Sequence, residues 1–209
     1  MARPRGSRNR DYAQRRADLA LRASEAMIRQ DGSPSTLSDL AHAAGVSVPT
    51  LRHYFDDRDG VIAAALAKRA EYHLMTPKAD LDTEDVSVSD SLTAFLHGFI
   101  NLWRELGVGQ EFSVALQLAM RNPILGEAAV DHVFEPVLDA AQRRLTLHHD
   151  RGELCKGMNL RIAAFSLLSP LIVGLLHQDQ LSGDRCRPFD VWTMAQEHVD
   201  RFVRGYGTE

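Results

Sequence analysis

Apolar residues recur at a helical period along almost the whole chain, and almost no segment alternates in the way a strand would. A first helix is predicted near residues 11–30, where Ala17, Ala20, Leu21, Ser24, Met27 and Ile28 form one stripe and "DGSPS" ends it. Thr36, with Asp39 three residues on, is a capping-box start for a second, short helix. Ser47 can cap a third, in which Pro49 falls in the first turn, where a missing N–H costs nothing. A fourth runs from about Arg58 to His73, with Asp56 and Asp57 at its positive end.

The polar, acidic stretch "TPKADLDTEDVSVS" (76–89) then interrupts the pattern, and Pro77 stops any helix there. Past it, Ser87 or Ser89 caps a helix with the stripe Leu92, Leu96, Phe99, Trp103 and Leu106. A shorter one covers about Gln110 to Met120. Asn122-Pro123 starts a long one that runs to about His148, with a kink expected at Pro136. An apolar helix spans about 158–179, starting from Asn159, and a last one spans about 189–204 with Trp192, Ala195, Val199 and Phe202 on one side. The prediction is an all-α chain of about nine helices. Residues 1–75 form a small helix-turn-helix domain with a basic N-terminal arm, and residues 76–209 form a larger helical bundle.

Charge sharpens this division. Residues 1–75 hold 12 Lys+Arg against 9 Asp+Glu, whereas the remainder hold 12 against 19. Arg3, Arg5, Arg8 and Arg10 crowd the first ten positions. A basic arm beside an acidic body suits a protein that grips a polyanion with one end. No apolar core follows that arm, which argues against a secretory leader. The longest apolar run, Ile162 to Leu176, is short of the roughly 20 residues that span a bilayer, so a buried helix and no membrane partner are expected. Cys155 and Cys186 make no metal-ligand spacing and fit a reducing cytoplasm. The nine histidines include no HExxH, and no nucleophile motif or phosphate loop occurs. An enzyme, a metal site and a cofactor are therefore not expected.

The chemistry concentrates in "LSDLAHAAGVSVPTLRHYF" (37–55). Ala41 is small where two crossing helices would touch, Gly45 suits a turn that needs positive φ, and Val46 and Leu51 can face back into a core. That is the spacing of a helix-turn-helix, whose second helix presents its N-terminal residues to the major groove. Val48, Pro49, Thr50, Arg52, His53 and Tyr54 then come into play. Thr50 can meet a base, a phosphate or a thymine methyl, Arg52 a guanine or a phosphate, and Tyr54 a phosphate. Thr36, Ser38 and Ser47, at the helix starts, complete the DNA-facing set.

The stretch "GSPSTLSDLAHAAGVSVPTLRHYFDDRDGVIAAAL" resembles the DNA-binding region of TetR-family transcriptional regulators. The matching positions are Gly45-Val46-Ser47, Pro49-Thr50-Leu51, Tyr54-Phe55 and Arg58. The family's usual tyrosine after Thr-Leu is replaced by Arg52, which can keep a phosphate contact or read a base. Arg58 matches the basic residue at the start of the fourth helix, which faces phosphate. The resemblance implies a homodimer on a palindromic double-stranded operator and a C-terminal bundle that binds a small effector, most often in a repressor.

Leu96, Phe99, Trp103, Phe112, Leu116, Met120, Phe134, Leu138 and Phe165 are the residues bulky and apolar enough to line an effector site, with His97 or Gln117 as polar handles. The apolar helix from Asn159 is apolar nearly all round, so one face can serve the core and another a partner. Leu167, Leu171, Gly174, Leu175, Trp192 and Val199 are the candidate dimer residues. The competing reading is a helical protein-interaction module without specific DNA binding.

Overall fold

The computed structural model describes residues 7–27, 35–75 and 86–208, with side chains over 11–27, 35–71 and 86–208. The basic arm's arginines, the "DGSPS" turn up to residue 34 and most of the acidic stretch at 76–89 lie outside the described side chains. The chain folds as α1 (Ser7–Ser24), α2 (Leu37–Ala43), α3 (Val48–Phe55), α4 (Arg58–Met75), α5 (Val88–Glu105), α6 (Val108–Ala119), α7 (Pro123–Ala129), α8 (Glu135–Asp150), α9 (Leu160–Leu175), α10 (Gly183–Cys186) and α11 (Val191–Tyr206). No strand occurs among the described residues. One isolated bridge pairs Leu154 with Gly207.

Local chemistry sets most helix starts. Thr36 and Asp39 form the reciprocal capping box, Ser47 accepts from Thr50 N, Ser87 from Asp90 N, Asn122 from Ile124 N and Asn159 from Ile162 N. Asp190 caps α11 through the N–H groups of Trp192 and Thr193, and the Thr193 hydroxyl together with these donors holds its carboxyl below the usual range. The first helix differs from its predicted register. It starts at Ser7 and ends at Ser24, and it buries Leu19, Ala20, Ala23 and Ser24, with Met27 buried in the turn that follows and Leu21 left outside.

The residues divide into two compact units. The first takes in 1–76 and also 114–133, a segment the sequence pattern grouped with the C-terminal half. In it α1 packs along α4, and Leu19, Leu40, Leu51, Phe55, Ile62 and Leu66 share a core with Val114, Leu118 and Leu125. The second unit, 77–113 and 134–209, packs α9 against α8 and α11 against α5 and α9. Bidentate ion pairs tie Arg161 to Glu135 and Arg104 to Asp179. The Arg161 guanidinium holds the Glu135 carboxyl below its usual range.

Two prolines shape the long helices. Pro136 has no N–H to offer four residues back, and the helix widens into a π turn at Val130–Phe134 just before it. That turn replaces the kink expected there. Pro170 lies inside α9 and leaves the Ser166 carbonyl without its helical donor. His198 of α11 supplies one: its Nε2 donates to the carbonyls of Ser166 and Leu167, each at 3.1 Å.

The α9 helix continues through a π turn, so Leu160–Gln180 forms 21 helical residues of mean hydropathy 1.7. That is long and apolar enough to cross a membrane, so the length argument made from the sequence does not hold. One side of it packs against α8 and α11 and buries Ala163, Ala164, Leu167, Leu168, Leu171, Gly174 and Leu175.

His198→Leu is expected to lower stability by about 1–2 kcal/mol in denaturant unfolding, by stranding the Ser166 carbonyl. Pro170→Ala restores the helical donor, so the double variant should recover part of that loss. Strictly additive effects would refute the coupling.

Candidate nucleic-acid interface

The turn between α2 and α3 is built from the backbone outward. Gly45 has φ +69°, and the N–H groups of Gly45 and Val46 return to the carbonyls of His42 and Ala41 at 3.0 Å each. This is the paired closure of a helix end that needs a left-handed residue, which glycine provides. Ala41 is buried at the crossing, and Leu51 and Phe55 are the buried face of α3.

The other face of α3 is turned outward. Pro49, Thr50, Arg52 and His53 are exposed, and Val48 is half-buried. The Thr50 hydroxyl lies 2.8 Å from the Ser47 hydroxyl, so both belong to the helix cap. The Thr36 hydroxyl is likewise taken up by Asp39 at 2.9 Å. Ser38 is exposed on α2. The Arg52 side chain makes no hydrogen bond or ion pair with any described residue, which leaves its guanidinium available.

Arg58 sits half-buried at the start of α4. Its Nε donates to the Ser35 carbonyl at 2.7 Å and its Nη1 to Asp59 at 2.9 Å. Asp59 in turn accepts from the Asn122 side chain, the residue that caps α7. Arg52, Arg58, Thr36, Asp56 and Asp57 border one shallow groove.

Sequence reasoning missed the residues that hold α3 in place. Tyr12 of α1 stacks on Tyr54 with centroids 4.7 Å apart and donates its hydroxyl to the His53 carbonyl at 3.2 Å. Arg16 donates from Nε to the Tyr54 carbonyl at 3.1 Å and lies over the Phe55 ring at 4.8 Å. Tyr54 is therefore committed to α1 through its ring.

The exit from α3 is strained. Asp56 has φ 62° and ψ −61°, and Asp57 N donates across it to the Phe55 carbonyl at 2.7 Å, forming a γ-turn of the positive-φ kind. That carbonyl presses on Gly60, where a Cβ would stand 2.3 Å from it.

With this geometry in place, the comparisons with known proteins are informative. Residues 20–65 match the family model described as "Bacterial regulatory proteins, tetR family". No curated protein matches the chain in sequence. Among solved structures, the TetR fold extends over nearly the whole chain. A candidate TetR-family regulator from Mesorhizobium loti superimposes with TM-score 0.71 at 20% identity, covering 94% of this chain and 98% of that one. A TetR transcriptional regulator from Agrobacterium tumefaciens gives 0.65 at 24% identity, covering 93% and 95%. SmeT, the repressor of the Stenotrophomonas maltophilia multidrug efflux pump SmeDEF, gives 0.60 at 23% identity, covering 92% and 91%.

The residues assigned to an effector site are distributed over both units. Phe99, Trp103, Phe112 and Phe134 form a continuous row in the second, with successive centroids 6.0, 5.2 and 4.9 Å apart, and Leu96 and Leu138 are buried in the same unit. Gly109 lies against Trp103, whose Nε1 has no partner. His97 stands edge-on to Trp192 at 4.8 Å. Leu116, Gln117 and Met120 fall in the first unit, where Met120 is 78% exposed. Phe165 is exposed on the outward side of α9 under Arg161.

The candidate dimer residues face the other way from expectation. Leu167, Leu171, Gly174, Leu175 and Val199 are buried inside the chain, and Trp192 is half-buried beside His97. Gly174 admits Met194 of α11, whose Cε would lie 2.7 Å from an added Cβ. The outward face of α9 carries Ile162, Phe165, Ser166, Ser169, Pro170 and Val173 instead.

Gly60→Ala should reposition the α3–α4 junction, because the added methyl meets backbone. A stability loss of about 1–3 kcal/mol is expected in thermal or denaturant unfolding. An unchanged melting curve would show that the close approach is not required.

Proposed function

We propose that this protein is a sequence-specific DNA-binding transcriptional repressor that acts as a homodimer on a palindromic operator in the cytoplasm and is released by a small, largely apolar effector. The DNA-reading role falls to residues 1–75, and the effector and dimer roles to residues 76–209. The observation that carries the reading is the outward face of α3. Its inner face is locked by Leu51, Phe55, Tyr12 and Arg16, and Arg52 stands uncommitted near its middle. A helix held this rigidly with polar residues outward suits the major groove.

Within the DNA-facing set the roles then separate. Arg52 and His53 are offered for bases or phosphate, and Val48, Pro49 and the Thr50 methyl for apolar contact with thymine. Thr36, Ser38 and Ser47 lie at helix starts, where backbone N–H groups favour phosphate. Arg58 remains a phosphate candidate through its exposed share. Repression is supported by the likeness to SmeT, a repressor whose complex with triclosan has the same fold.

The dimer reading rests on α9. Ile162 and Val173 are 58% and 64% exposed, with Phe165 between them, on the side of the helix opposite its buried leucines. Ser166 and Ser169 lie between these and would let two helices come close. Val173→Asp is expected to shift sedimentation from dimer to monomer while leaving the fold's circular dichroism intact. A variant that stays dimeric would place the interface elsewhere.

A band shift on the DNA flanking the protein's own gene, at two salt concentrations, tests the main reading. Specific binding should fall steeply with salt, as phosphate contacts release counterions. Arg52→Ala should weaken it by about 1–3 kcal/mol, or roughly 5- to 150-fold. Weak binding that is equal on all sequences, including sites selected from random DNA, would instead favour a protein-interaction module.

A further inference from the structure

Arg144 of α8 is an unusual residue to find inside the second unit. It is only 7% exposed. Its Nη1 donates to the Ser91 hydroxyl at 3.0 Å and more weakly to the Ser91 carbonyl at 3.4 Å, and its guanidinium carbon lies 5.4 Å from the Phe95 ring centre. Its Nε is buried without a partner. Among the described residues no carboxylate pairs with it, and burial lowers its pKa from the ordinary arginine value. One helical turn further along the same face, His148 is wholly buried. Its Nδ1 lies 2.5 Å from Glu153, and its Nε2 is also without a partner.

A buried cation without an anion is costly, and an apolar side chain of similar volume would be neutral or better for stability. Packing alone therefore gives no reason for a guanidinium here. Its chemistry does: a guanidinium held by Ser91 and set over Phe95, with its Nε buried and unpartnered, is prepared for a planar oxyanion. The residues next in sequence to Ser91, Phe95 and Arg144, namely Leu92, Leu96 and Leu145, are buried and apolar. Such surroundings favour a singly charged group over a doubly charged phosphate, because the desolvation cost climbs steeply with charge.

We propose that Arg144, positioned by Ser91 and Phe95, is the anchor for a monocarboxylate group on an otherwise apolar effector. The proposal rests on the effector role assigned to residues 76–209 and adds the ligand's chemical class. The carboxylate neutralises the guanidinium, and the apolar remainder lies among the side chains of α5 and α8.

The test compares matched probes on the full chain: decanoate against decanamide, and phenylacetate against phenylacetamide. For the wild-type protein at least one carboxylate should raise the melting temperature by about 3 °C or more, with its amide inactive. Arg144→Met should fold with a melting temperature equal to or above wild type and lose that carboxylate preference. Should Arg144→Met not fold, Ser91→Ala takes its place, with the expectation that the preference shrinks severalfold. A wild-type protein that answers no carboxylate over its amide overturns the proposal, as does an Arg144→Met variant that retains the preference. Band shifts on the same samples separate the two readings. Specific DNA binding without any carboxylate preference removes the anion anchor alone. A carboxylate preference lost in Arg144→Met, in a protein that binds no DNA specifically, removes the regulator reading alone.

Discussion

The structure of the first unit depends on what happens to four carbonyl groups. An eight-residue helix such as α3 has nearly as many unsatisfied backbone groups as satisfied ones, so its ends decide whether it exists at all. Its last four carbonyls each find a donor. Arg52 O accepts from Asp56 N, His53 O from the Tyr12 hydroxyl, Tyr54 O from Arg16 Nε and Phe55 O from Asp57 N. Two of these donors come from the strained turn that leads into α4, and two reach across from α1. The same bonds that make the helix stable also fix its angle to its neighbours. A reading helix must be rigid relative to its partner helices if its outward residues are to meet base edges, and here rigidity and stability have one source.

This explains what the sequence could and could not show. The start of α3 was legible, because Ser47, Pro49 and Thr50 act within a turn of one another. So were the starts after Thr36, Asn122 and Asn159, and the turn at Gly45, for the same reason, whereas Ser87 and Ser89 were equal candidates for the start of α5 until the structure chose Ser87. The C-terminal end of α3 was not legible, since Tyr12 and Arg16 act over separations of 41 and 38 residues. Nothing local marks a tyrosine or an arginine in α1 as the cap of another helix. The register of α1 was misjudged because Leu21 and Leu19 fit a helical stripe equally well, and only the packing against α4 chooses Leu19. The membership of 114–133 in the first unit was hidden likewise, since Val114, Leu118 and Leu125 look like core of any kind.

A helix that is apolar all round carries no pattern to read, and α9 shows the consequence. The sequence indicated two buried sides without saying which was which. Tertiary contacts place Leu167, Leu171 and Leu175 inward and leave Ile162, Phe165 and Val173 outward. Pro170 takes part in this sorting. By vacating the Ser166 carbonyl it creates an acceptor that His198 of α11 occupies, which fixes the rotation of α9 against α11. A proline that would ordinarily weaken a helix thus becomes the point at which two helices are registered. The outward row, free of that duty, stays apolar beyond what a solvated face needs.

The polar groups inside the second unit follow a different logic from those in the first. Around α3, buried or half-buried polar atoms close on one another: Arg58 on Ser35 and Asp59, Asp59 on Asn122, Thr36 on Asp39. In the second, Arg144 Nε, His148 Nε2, His97 Nε2 and Trp103 Nε1 are buried with no partner. Native interiors keep few such atoms, because each forfeits its hydration without a return. A unit whose task is to hold one arrangement should satisfy its own donors, as the first unit does around α3. A unit whose task is to respond to a ligand gains by leaving donors unmet, since the ligand that meets them stabilises only the arrangement in which they converge. On the proposed reading, the donors left unmet in the second unit are the ones such a response would use.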